Sequence, residues 1–225
     1  MDIDAYADML TRMTEMQTTA VIETRLVHDL HRKVSSLLVE AASHPGASAA
    51  ALAEIRDFLV TQLRHHHQTE DDLLWPMITA EAPELTGPLA SLNSEHHQLD
   101  AALDALASAP VSGPDRTALV DAAIALRDLV HTHLSHEEPV LFPALRDHIS
   151  EQAWKEFAQQ VVATAPNVGA HLLVGFLEQV GTPEEVEIIL GRMPAPARTA
   201  LREQAQDTFG QLTGQAAHAG EEPTL

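Results

Sequence analysis

Apolar residues recur at helical spacing along most of this chain, and period-two alternation is found nowhere. Residues 18–42 read as one long amphipathic helix with a stripe at Ala20, Val27, Val34 and Leu38. His44-Pro45-Gly46 ends it. Ser48 caps a second helix that runs to about Gln68 and on towards Ile78, with Pro76 expected to bend or break it. Pro83 and Gly87-Pro88 mark a loop. A third helix follows over Leu89–Ser108, then a turn over Ala109–Pro114. The fourth helix covers Asp115–His148, with Pro139 and Pro143 expected to disturb its second half. At ~1.5 Å per residue each helix is roughly 30–45 Å long.

Short connections between long helices force antiparallel neighbours. The expected fold is therefore all-α, an antiparallel up-down four-helix bundle. A short helix at 2–16 would cover one end. After residue 150 Ser150 reads as an N-cap, with Trp154 and Phe157 on one helix face and a break at Pro166-Asn167. Further helices are expected at 168–180, at 183–192 with Thr182 as cap, and at 195–214, before a frayed tail at 215–225. The resulting division is an N-terminal helical segment (1–17), the bundle (18–149) and a helical C-terminal extension (150–225).

Composition narrows the chemistry. The 225 residues include no cysteine, which excludes disulfides, zinc-thiolate sites, iron–sulfur clusters and thiol catalysis, and fits a reducing, cytoplasmic setting. Asp and Glu number 33 against 13 Lys and Arg, a net charge of −20 that disfavours nucleic acid and anionic membranes as partners. The acidic start MDIDAYADML has no basic region followed by an apolar run, so no signal peptide is expected, and no run of ~18 apolar residues suits a membrane span. No phosphate-binding glycine loop, nucleophile elbow or basic-aromatic stripe is present.

Histidine is the anomaly, at 14 residues. The four bundle helices carry His28 and His31; His65, His66 and His67; His96 and His97; and His131, His133 and His136. Three carry an acid one turn onward. His66 and Glu70, His96 and Asp100, and His133 and Glu137 each stand four residues apart and share a helix face. Imidazole and carboxylate together suit non-heme iron or manganese, and two carboxylates can bridge two metal ions in a bundle core. Zinc is a weaker alternative, because six or seven candidate ligands exceed one tetrahedral site. The Glu-x-x-His motif of ferritin-type sites is missing from the bundle. Left without a partner, six such buried residues would cost several kcal/mol in aggregate.

The order His28, His66-x-x-x-Glu70, His96, His133-x-x-x-Glu137, one element per helix, resembles the hemerythrin-like (HHE cation-binding) family. The surrounding stretches RHHHQTEDDLLWP (64–76) and HTHLSHEEPVLFP (131–143) resemble the two metal-helix signatures of its bacterial branch. The resemblance covers about residues 20–148. It implies two non-heme iron ions with an oxo or hydroxo bridge, held by His28, His66, Glu70, His96, His133 and Glu137, with Glu70 and Glu137 as carboxylate bridges. The family's five-histidine form has another histidine four residues after the third-helix ligand. Here that position is Asp100, so either Asp100 ligates or water fills the place.

The other histidines have quieter readings. His65 and His67 are expected to lie outside the ligand set, exposed or supporting. His31 competes with His28 and is read instead as a donor that orients a carboxylate. His97, His131, His136 and His148 are expected to face solvent, and Glu138 to lose the bridging place to Glu137. Trp75-Pro76 and Phe142-Pro143, at matching offsets after the two glutamates, read as packing and kink elements. The implied functions are binding of O2 or a related small ligand (NO, peroxide), peroxide-reducing or catalase-like catalysis, or iron and oxygen sensing through a protein partner on the C-terminal helices.

Overall fold

The computed structural model describes residues 18–214 except 114. The helix expected at 2–16 and the tail at 215–225 lie outside the described residues. Those residues form helices joined by short connections, with no strand among them. They are α1 (Thr19–Ser43), α2 (Ala49–Thr69), a π-helical turn (Glu70–Leu74), α3 (Trp75–Glu81), a 3₁₀ turn (Pro83–Leu85), α4 (Thr86–Ser108) and α5 (Thr117–His148). The C-terminal third adds α6 (Glu151–Thr164), α7 (Ala170–Val180), α8 (Pro183–Leu190) and α9 (Ala195–Leu212). None of these helices is long and apolar enough to cross a membrane.

Side-chain caps set four of the helix starts. The Thr18, Ser48 and Ser150 side chains each accept a hydrogen bond from the backbone N–H three residues on. Thr182 and Glu185 form a reciprocal capping box at α8. Gly169 begins α7 in the left-handed region, at φ 65°, where a Cβ would come within 2.6 Å of Phe58.

Proline acts differently from expectation at three places. Before Pro76 the helix widens rather than breaks, and the Trp75 N–H bonds to the Glu70 carbonyl five residues back. A proline ring clashes with the carbonyl four residues earlier, and the wider turn relieves that contact. Pro88 lies in the first turn of α4, which therefore starts at Thr86 rather than Leu89; a first-turn N–H has no partner within the helix. The helix α5 runs unbroken through Pro139 and Pro143. The two carbonyls that lose a partner belong to Ser135 and Pro139, both exposed, so water can satisfy them.

Packing positions the polar residues. The helices α1, α2, α4 and α5 make a closed ring of contacts, α1 with α2 and α5, and α4 with the same two. One apolar cluster includes Val34, Leu59, Leu103 and Leu126 and continues into Phe176, Val186 and Leu212, so the C-terminal helices share the core of the ring. A second cluster joins Val21, Trp75, Ile78, Leu92, Leu141 and Trp154. It takes the starts of α1 and α4 and the continuations beyond α2 and of α5. Between the clusters, on all four helices, falls a layer of buried histidine and glutamate.

Candidate metal centre

The layer contains His28 and His31 from α1, His66 and His67 from the end of α2, Glu70 from the π turn, His96 from α4, and His133 and Glu137 from α5. All but His66 are fully buried, and the His66 side chain is only 13% exposed. Burying this many polar groups without partners opposes folding. Yet His28 Nε2, His66 Nε2, both His67 nitrogens and all four oxygens of Glu70 and Glu137 are buried with no hydrogen-bond partner.

These donors fall into two groups, each tight enough to surround one cation. One is His28, His66, Glu70 and Glu137; the other is His67, His96 and His133. The carboxylates lie between the groups. Glu70 places Oε1 3.3 Å from His66 Nε2 and Oε2 3.6 Å from His96 Nε2. Glu137 places Oε1 3.6 Å from His28 Nε2 and Oε2 3.0 Å from His133 Nε2. Each carboxylate thus turns one oxygen towards each group, so either could contact a cation held by His28 and His66 and one held by His96 and His133. The π turn directly after His66 and His67 carries Glu70 inward and Asp71 against His96.

Three imidazoles are held from outside. His28 Nδ1 donates to Glu138 at 3.2 Å, His96 Nδ1 to Asp71 at 2.8 Å and His133 Nδ1 to Glu95 at 3.0 Å. An ionised carboxylate only accepts, so each Nδ1 carries a proton and each Nε2 faces inward, where those of His96 and His133 lie 3.2 Å apart. Arg32 donates to Glu138 at 2.7 Å and His136 to Glu95 at 3.0 Å, which anchors the outer acids in turn. Trp75 stacks over His96 at 6.3 Å and Phe142 over His28 at 5.9 Å, consistent with the packing role read for these matched aromatics.

Electrostatics separates the two glutamates. Burial, reinforced by the charge of Glu137, holds the Glu70 carboxyl well above the usual carboxylate range. Burial also opposes ionisation of Glu137, but His28 and His133 outweigh it and bring that group down to about 2. Burial pulls His31 down to about 3 and carries His66 and His67 well below 6.5, in each case helped by neighbouring imidazoles. In the metal-free chain these three are neutral when folded, whereas the unfolded chain protonates them below about pH 6.5. Stability must therefore fall as pH falls, because the roughly 3–4 kcal/mol per pH unit from three histidines just below 6 outweighs the roughly 1.4 kcal/mol that the raised Glu70 carboxyl contributes in the opposite direction. The expected result is a melting temperature that drops by about 5 °C between pH 6 and pH 5 in chelator. A flat profile by differential scanning calorimetry would contradict this burial.

All six residues of the sequence-derived set lie in the layer: His28, His66, Glu70 and Glu137 in one group, His96 and His133 in the other. Glu137 is fully buried, while Glu138 turns outward to Arg32. Three expectations need correction. Asp100 does not reach the layer: the stripe His96, Leu99 and Leu103 faces inward and turns Asp100 to solvent. His67 is buried, which removes the exposed alternative, and its ring stacks on His96 at 4.4 Å. A signal for it was present, since His67 follows buried Val60 and Leu63 at helical spacing. His31 orients no carboxylate; its ring lies 4.8 Å from His66 and its Nδ1 has no partner. His97, His131, His136 and His148 are exposed, as expected. His65 is half-buried and bonds Thr164 at 3.0 Å.

No curated protein and no solved structure matches the chain. The family model of the hemerythrin HHE cation-binding domain matches residues 22–145, the stretch that holds every residue of the buried layer. That match covers more than half of the 225 residues, and the chain belongs to the hemerythrin HHE cation-binding family.

Proposed function

We propose that this chain is a di-iron protein that binds O2, or a related small ligand such as NO or peroxide, in the core of an antiparallel four-helix bundle. The observation that carries the reading is the pair of donor groups with Glu70 and Glu137 between them, and with His28 Nε2, His66 Nε2, His67 and all four carboxylate oxygens lacking any hydrogen-bond partner. The alternating use of helix beginnings and ends in the second apolar cluster supports the antiparallel arrangement. His28, His66, His67, His96 and His133 with the two carboxylates make a set of five imidazoles and two bridges. His67 then takes the place for which Asp100 or water was the expectation. Hard carboxylate oxygens mixed with imidazole suit iron, and the number of donors exceeds what one zinc ion uses.

The chemistry such a pair supplies when bound is electron exchange with a small ligand at an open coordination position. The chain's residues provide the setting. Asp71, Glu95 and Glu138 hold three imidazoles in the ligating tautomer. The apolar clusters above and below exclude water, which preserves the strength of each ligand contact. The absence of cysteine fits a cytoplasmic location.

The test is spectroscopic. Protein loaded with ferrous iron without oxygen is expected to develop a charge-transfer band in air that fades when oxygen is removed. A band that persists, together with peroxide turnover, would favour a peroxide-reducing enzyme in the same site.

A further inference from the structure

The two donor groups are unequal. With Glu70 and Glu137 shared, one side has three imidazoles, His67, His96 and His133, and the other has two, His28 and His66. The side with fewer donors would leave more room for an incoming ligand. Beside it stands a buried imidazole that none of the interactions above uses. His31 is 1% exposed, and its ring lies 4.8 Å from that of His66. Its Nδ1 is buried without a partner. An aliphatic side chain would continue the core between Leu30 and Val34 without leaving a polar atom unsatisfied. The neighbouring imidazoles are otherwise occupied: His28 is fixed by Glu138 and covered by Phe142, and His66 faces Glu70.

We propose that His31, a buried and unpartnered imidazole beside His66, recognises the exogenous ligand by donating a hydrogen bond to an acceptor atom of a small anionic or diatomic ligand. His31 is in this account a specificity-determining residue of the binding pocket and not a metal ligand. An apolar wall at this position would hold a neutral diatomic as well as the present one. An N–H donor selects ligands that carry negative charge once bound, because hydrogen bonds to charged groups are the stronger ones. The inference rests on the di-iron reading above.

The test uses azide as the probe on the full chain, loaded with iron and oxidised, and compares the natural protein with His31→Leu and His31→Gln. Iron per chain and the azide titration, followed by its charge-transfer band, are both measured. The expected result is unchanged iron in all three, azide affinity about tenfold weaker in His31→Leu, and affinity within about threefold of the natural protein in His31→Gln, which restores a donor. A two-iron His31→Leu chain with unchanged azide affinity would overturn this inference alone. Loss of iron in both variants would overturn it too, by making His31 a ligand. A natural chain that takes up no iron would overturn the di-iron reading and this inference together.

Discussion

Replacing Glu70 by leucine is expected to abolish metal binding and, in the same chain, to raise the melting temperature of the metal-free protein. The two effects have opposite signs because Glu70 serves the metal and not the fold. Both its oxygens are buried without hydrogen-bond partners, and it lies beside a second carboxylate. Its pKa is raised on folding, so its cost is absent below the unfolded value near 4.5 and grows as pH rises towards the folded value. Leucine removes that cost at neutral pH, while Glu137 keeps His28 and His133 beside it. A gain of about 1–3 kcal/mol is the scale for replacing an unsatisfied buried polar group, or roughly 3–8 °C for a chain of this size. Without the variant, binding stabilises: metal at a thousand times its Kd adds about 4 kcal/mol. Calorimetry with and without chelator separates the two effects. A Glu70→Leu chain that melts lower in chelator would mean that the carboxylate holds the fold together.

His67→Leu is expected to lower bound iron from about two ions per chain to about one. The group of His96 and His133 loses its third imidazole, whereas His28, His66 and one oxygen of each glutamate remain. Leucine fills much of the same volume between the apolar clusters, so the metal-free fold should tolerate it. His65→Ala is the control, because His65 bonds Thr164 outside the layer and its loss should leave iron content unchanged. Iron quantified by mass spectrometry on desalted protein checks both. Two irons retained in His67→Leu would place the third donor elsewhere.

Most of the layer was legible in the sequence because an α-helix repeats faces every three to four residues. The pairs His66–Glu70 and His133–Glu137 announce a shared face by spacing alone. The same rule misled at Asp100. A four-residue step advances about 40° around the helix, and the stripe through Leu99 and Leu103 settles which side of His96 turns inward. His67 was hidden in a run of three histidines, where spacing to Glu70 selects His66 but does not forbid its neighbour. The π turn at Glu70–Leu74 widens the helix just beyond both histidines, and a reading based on regular 3.6-residue periodicity does not anticipate it. The outer acids Asp71, Glu95 and Glu138 were equally unreadable as partners of His96, His133 and His28, since only the packing of different helices pairs them. The continuity of the core from α1 into α7–α9 likewise follows from tertiary contact, through Phe176, Val186 and Leu212, and not from any local pattern.

The central claim is that one chain holds two irons between His28, His66, His67, His96 and His133, bridged by Glu70 and Glu137. The most direct test is metal stoichiometry after anaerobic loading with excess ferrous iron and removal of unbound ion. The account predicts about two irons per chain. No retained iron, or a single zinc per chain that excludes iron, would contradict it.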